Sequence, residues 1–93
     1  MNVSVAKANR RPPVSEKFDP LKLHRSVVAA CSAVRAFEGE AHLTAQHVCE
    51  QVLEWLETKT EVTSNDIRRV AGASLHVYHA EAAYVYEHYK EMI

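Results

Sequence analysis

Four charged residues near the front of the chain, Lys7, Glu16, Asp19 and Lys22, have types that suit a shared task. Two ammonium groups held beside a helix N-terminus, whose free N–H groups carry a partial positive charge, form a cradle for a polyphosphate. A carboxylate such as Glu16 at its edge can orient a polar ring edge or a ribose. On spacing alone, Lys7, Glu16 and Lys22 read better as ordinary exposed charges in surface pairs worth under about 1 kcal/mol. Other chemistries lack their residues. No Ser/His/Asp elbow, HExxH or GxxxxGK[ST] occurs, and GxGxxG is impossible with only 2 glycines. The expectation is a binding module, not an enzyme. Among the 6 histidines the closest pairs, His42/His47 and His76/His79, lack a cysteine or carboxylate set at zinc-ligand spacing, so no metal site is expected. Cys31 and Cys49 fall inside helical patterns and read as buried free thiols rather than a bridge.

The elements that must place these groups are legible in order. Val3-Ser4-Val5-Ala6-Lys7 alternates with period two, and Val14-Ser15-Glu16-Lys17-Phe18 resumes the alternation, so residues 1–18 read as a β-hairpin. Its loop holds Arg10 and Arg11 ahead of Pro12-Pro13, which stiffen the return. Asp19 is a candidate N-cap, Pro20 suits the first helical position, and Phe18 can staple onto Leu23. A first helix is expected from Pro20 to Ala36, with Gly39 as its stop. A second helix opens at a Thr44 cap, buries Val48, Val52, Trp55 and Leu56, and ends near Thr58. A third opens at Thr63 or Ser64 with Asp66 in its first turn, and carries Gly72 mid-helix, at a cost of about 1 kcal/mol relative to Ala, where it would permit close helix contact. After a break near Tyr78 or His79, a fourth runs to the C-terminus. Residues 20–93 thus read as a helical bundle, the order is ββαααα, and the class is mainly α within α+β.

Length and composition set the bounds. Ninety-three residues allow one domain, and 47% apolar with 25% charged residues predicts a folded one. No apolar run approaches the roughly 20 residues of a membrane helix, and no secretory leader pattern opens the chain, so a cytoplasmic location is expected. The net charge of −1 hides a split: residues 1–35 carry seven Lys/Arg against Glu16 and Asp19, while the remainder is acidic. Such a split can mark a surface that receives an anion.

The ordered set Val5-x-Lys7, Glu16-x-Phe18-Asp19-x-x-Lys22-Leu23, Val62-Thr63-Ser64-x-x-Ile67 and Ala83-x-x-Tyr86-x-x-Tyr89-Lys90 resembles the ATP-cone family over nearly the whole chain. The resemblance implies a β-hairpin packed on a four-helix bundle. It also implies a regulatory module that binds ATP or dATP, with or without Mg2+, without hydrolysing it. ATP-cones regulate ribonucleotide reductases and occur in the repressor of reductase genes, so allostery through nucleotide-dependent oligomerisation is the implied output. Position by position, Val5 and Glu16 would border the base, Lys7 and Lys22 would hold phosphates, and Asp19 would cap the helix and touch nucleotide. Ser64, with Thr63 beside it, falls where the family has a hydroxyl near the ligand. Arg68 falls on a phosphate-facing position, and His88 and Lys90 match the basic end of the last helix. Each of these four has a structural alternative, as helix cap, solvated face or dipole complement.

One departure matters. The family's strand usually ends Lys-Arg-Asp/Asn-Gly, whereas this chain reads Lys7-Ala8-Asn9-Arg10 with an insertion through Pro12-Pro13. The second phosphate-side cation is missing unless Arg10 or Arg11 reaches back. Partners expected are an adenine nucleotide and either a second copy or a reductase subunit, through the acidic face of the second helix and the tyrosines of the last. The chain reads as a stand-alone cone or as a domain of a longer protein. Two alternatives stay open: a degenerate cone serving as a protein adaptor, and nucleic-acid binding through Lys7, Arg10, Arg11, Lys17, Lys22 and Arg25, which the acidic remainder disfavours.

Overall fold

The computed structural model describes residues 3–7 and 14–88, with the backbone alone for Lys7 and Val14. Strand β1 (Ser4–Lys7) and strand β2 (Val14–Lys17) pair antiparallel, Val5 facing Glu16 and Lys7 facing Val14. Helix α1 (Pro20–Ala33) follows at once, then α2 (Glu38–Leu56), a third strand β3 (Glu61–Thr63), α3 (Ser64–Tyr78) and α4 (Ala80–His88). The chain is therefore mainly helical with a small sheet, an α+β arrangement whose order is ββααβαα.

The third strand is a correction to the order read from sequence. It lies parallel to β1, making β1 the centre of a sheet ordered β2-β1-β3, with Val5 beside Val62 and both buried. Three residues are too few for an alternating pattern to stand out. What makes them a strand is tertiary: Ser4 N–H donates to the Thr60 carbonyl at 3.1 Å, and Val62 has an apolar neighbour to cover.

Helix α1 opens as its sequence demands. Asp19 Oδ1 accepts from the Leu21 N–H at 3.0 Å, Pro20 takes the first position, and Phe18 and Leu23 are both buried. Its end differs from the expectation of Ala36 and Gly39. The helix stops at Ala33, Arg35 adopts a left-handed φ of 63°, and the Arg35 and Ala36 N–H groups return to the Ser32 and Cys31 carbonyls. That pair of bonds is a Schellman closure in which Arg35 holds the place glycine usually takes. Gly39 instead lies in the first turn of α2, which begins at Glu38, so Thr44 sits inside the helix and caps nothing. The start escaped detection because its buried stripe opens with small residues, Ala41 and Ala45, before reaching Val48, Val52 and Leu56. Trp55 is only half-buried.

Helix α3 carries a full capping box: Thr63 Oγ1 accepts from the Asp66 N–H, and Asp66 Oδ2 accepts from the Thr63 N–H. The break at His79 stands where expected, and Gly72 brings α3 close to α4, since a Cβ there would lie 2.6 Å from a Glu87 carboxylate oxygen. The helices meet as α1 on α2, α2 on α3, α3 on α4 and α4 on α1, closing the bundle around Val27, Val48, Val52, Leu56, Leu75 and Tyr86. Tyr86 is thus core, whereas Tyr84 is exposed; Tyr89 lies outside the described residues. Cys31 and Cys49 are both buried free thiols, each pushed up by burial, Cys49 to about 11.

Two predictions follow from these helix ends. A left-handed conformation costs an L-residue about 1–2 kcal/mol, while glycine loses about 0.5–1 kcal/mol more backbone entropy. Arg35→Gly therefore raises the melting temperature by a few degrees; a fall would show that the Arg35 side chain contributes more than its strain removes. Asp66 is held below its ordinary 3.8, first by the Thr63 N–H, then by the Thr63 hydroxyl and nearby Arg69. A depressed carboxyl stabilises the fold above its unfolded value and ceases to do so as pH falls through the lowered one. In urea titrations, the penalty of Asp66→Asn is expected at neutral pH and fades as the pH drops below 3.8.

Candidate functional site

The sharp corner between β2 and α1 leaves a hollow of about 320 Å³ enclosed by the hairpin, α1 and the start of α3. This is the low end of the range for small-molecule sites, about 300–1,000 Å³. Val5, Phe18, Leu23 and Ile67 supply apolar walls, while Glu16, Lys17, Asp19, Lys22, Ser26 and Ser64 supply polar groups. Apolar walls with a few polar groups among them are the usual composition of a small-molecule site.

Each lining group is set by its element. Val5 and Glu16 are direct cross-strand partners, so they stand on one face of the hairpin. Asp19 caps α1 and Lys22 lies in its first turn, while Ser64 lies in the first turn of α3, whose cap is Thr63. At the rim, Lys22 Nζ and Glu16 Oε2 stand 3.8 Å apart, with side chains 49% and 38% exposed. A pair this exposed is worth under about 1 kcal/mol, so an incoming anion can take over the lysine.

The electrostatics differ in one respect from the sequence expectation. The N-terminus of α1 is already capped: Asp19 holds the Leu21 N–H, and Pro20 has none to offer. The backbone there contributes less to anion binding than an open helix end would. Lys17 and Lys22 also face Glu16 and Asp19, two cations against two carboxylates.

Ser26, one turn beyond Leu23, belongs to the floor. It is 4% exposed, its hydroxyl donates to the Leu23 carbonyl at 2.7 Å, and its Oγ lies 3.0 Å from the Tyr86 hydroxyl. The serine proton being committed, Tyr86 is the donor in that second bond. Burial raises the Tyr86 phenol, with the Ser26 bond and the Arg68 guanidinium pulling it partway back. A buried polar link therefore ties the cavity floor to α4.

Of the ten residues singled out from sequence, Val5, Glu16, Asp19, Lys22 and Ser64 line this one hollow. Arg68 and His88 are not among its lining. Arg68 donates to Asn65 Oδ1 at 2.6 Å and keeps its Nε shut from solvent with no partner among the described residues. His88 is exposed at the end of α4, its ring 4.1 Å from that of Tyr84 and its Nδ1 on the Tyr84 carbonyl. The Lys7 side chain, Arg10 and Lys90 lie outside the described residues. Sequence reasoning missed Ser26 as a site residue, although a polar residue on the buried stripe between Leu23 and Val27 was a readable signal. It treated Phe18, Leu23 and Ile67 only as packing.

Neither family models, curated proteins nor solved structures yield a match to this chain.

The buried hydroxyl pair makes an asymmetric prediction. Ser26→Ala leaves the Tyr86 hydroxyl without its partner in the core, at a cost of about 1–3 kcal/mol, whereas Tyr86→Phe leaves Ser26 still bonded to Leu23 and costs about 0.5–1.5 kcal/mol. Chemical denaturation of both variants and the double variant checks this: the double variant is expected to resemble Tyr86→Phe more than the sum. Equal single costs that simply add would show that the two hydroxyls do not interact.

Proposed function

We propose that the chain is a non-catalytic regulatory module that binds an adenine nucleotide, ATP or dATP, in the hollow between hairpin and α1. The reading combines the ATP-cone resemblance with one geometric observation: Val5, Glu16, Asp19, Lys22 and Ser64, distant in sequence and marked by that resemblance, share a single cavity. The base lies in the apolar slot of Val5, Phe18, Leu23 and Ile67, with Glu16 and Ser64 at its polar edge. The phosphates leave past Lys22. Because the described rim balances two lysines with two carboxylates, a triphosphate needs further positive charge from Mg2+, Lys7, Arg10 or Lys90. Output follows from shape: a ligand that draws the hairpin onto α1 also loads the Ser26–Tyr86 link to α4, and changes how the module meets a second copy or a reductase subunit. No helix among the described residues is long and apolar enough to cross a membrane.

Isothermal titration with ATP, dATP and AMP, run beside a mass measurement in solution, tests the reading. Triphosphates are expected to bind and to raise the melting temperature. Lys22→Ala weakens them by about 10–100-fold, the equivalent of a charged hydrogen bond of about 1.5–3 kcal/mol. Absence of heat and of any thermal shift at millimolar ATP and dATP would overturn it in favour of an adaptor that works without nucleotide.

A further inference from the structure

The histidines that sequence spacing paired are not the pair the fold makes. His24 on α1 and His42 on α2, 18 residues apart, bring Nε2 of one and Nδ1 of the other to 3.1 Å, with ring centroids 5.3 Å apart. Two imidazole nitrogens on one tetrahedral zinc, with Zn–N about 2.0–2.1 Å, stand about 3.3 Å from each other. The observed separation is within a few tenths of an ångström of that spacing. Both rings are anchored on helices that pack directly against one another, so the approach is fixed by the bundle and not by a loop. His42 is exposed and His24 half-buried, at the edge of a groove lined by Pro20, Leu21 and His24 of α1 and by Gln46, Cys49, Glu50 and Leu53 of α2.

We infer that His24 and His42 form a two-histidine site for a divalent late transition metal of the zinc type, separate from the nucleotide hollow and independent of that reading. Imidazole suits this class of ion, and hard cations such as Mg2+ and Ca2+ prefer oxygen. Without metal, one ring donates its N–H to the lone pair of the other. With metal, both facing nitrogens present lone pairs, so the donor ring moves its proton to its outer nitrogen. His24 then carries it on Nδ1 and His42 on Nε2, and two neutral rings release no proton. Each ring must turn so that the two lone-pair axes, which face one another in the hydrogen-bonded pair, converge on the ion instead. Water completes the coordination, since no group of three or more His, Cys, Asp and Glu side chains suited to a metal occurs among the described residues. The bound ion staples α1 to α2 one turn from the end of α1 that carries Asp19 and Lys22.

Zinc chloride titrated calorimetrically into the untagged chain, without nucleotide, tests the site. One equivalent is expected to bind and to raise the melting temperature. Losing even an outer-shell partner of a metal ligand costs about 10–100-fold, so His24→Gln or His42→Gln alone weakens binding at least about tenfold. His47→Gln and His76→Gln leave it unchanged. In the wild-type protein, imidazole nitrogen NMR is expected to shift His24 Nε2 and His42 Nδ1 on zinc addition, a readout that survives if a variant folds poorly. No binding at millimolar zinc, binding that persists without both residues, or shifts confined to other histidines would overturn the inference.

Discussion

The corner at Phe18-Asp19-Pro20 is the constraint on which the rest depends. There the chain passes from sheet to helix with no loop between, and three bonds hold it: Phe18 N–H to the Val3 carbonyl at 2.8 Å, Leu21 N–H to Asp19 Oδ1, and Leu23 N–H to the Asp19 carbonyl. Because the first bond reaches back to the strand start, the point where the helix begins is fixed to the base of the hairpin. Phe18 and Leu23 bury their side chains beneath it, and the hollow opens beside them. Moving the corner by one residue would place Asp19 off the helix end and turn Glu16 to the other face of the strand.

The same corner explains why the site combines groups far apart in sequence. β1 is held on its second edge by β3, and β3 runs straight into the Thr63 cap of α3, so Ser64 and Ile67 reach the hollow because Val62 lies beside Val5. Sheet pairing over three residues thus delivers the third wall. The Ser26 to Tyr86 bond then ties the floor to the last helix, so the hollow, α1 and α4 are joined through one buried polar contact.

What was legible in the sequence follows from how local each signal is. The hairpin strands, the Asp19 cap, the Thr63 box and the break at His79 are set by neighbours within four residues, and all were readable. The end of α1 was not, because Arg35 fills a position where glycine is the usual marker, and Gly39, the decoy, lies inside α2. The start of α2 was hidden by alanines that pack tightly but carry little hydrophobic contrast. β3 was hidden by its length. At the site, Glu16, Asp19 and Lys22 were singled out by residue type and Val5 and Ser64 through resemblance to a known pattern; Ser26 was marked only by its place on the buried stripe of α1, and the His24–His42 pair depends on helix packing that spacing alone does not encode. The capped helix end, which lowers the backbone's share of anion binding, was itself readable from Asp19 and Pro20.

The central claim is that an adenine nucleotide occupies the hollow between hairpin and α1. Amide chemical-shift mapping with ATP tests it most directly. The account predicts that the largest changes cluster at Val5, Glu16, Lys22, Ser64 and Ile67, with smaller ones reaching Tyr86. Changes confined to other surfaces, or none at saturating ATP, would contradict it.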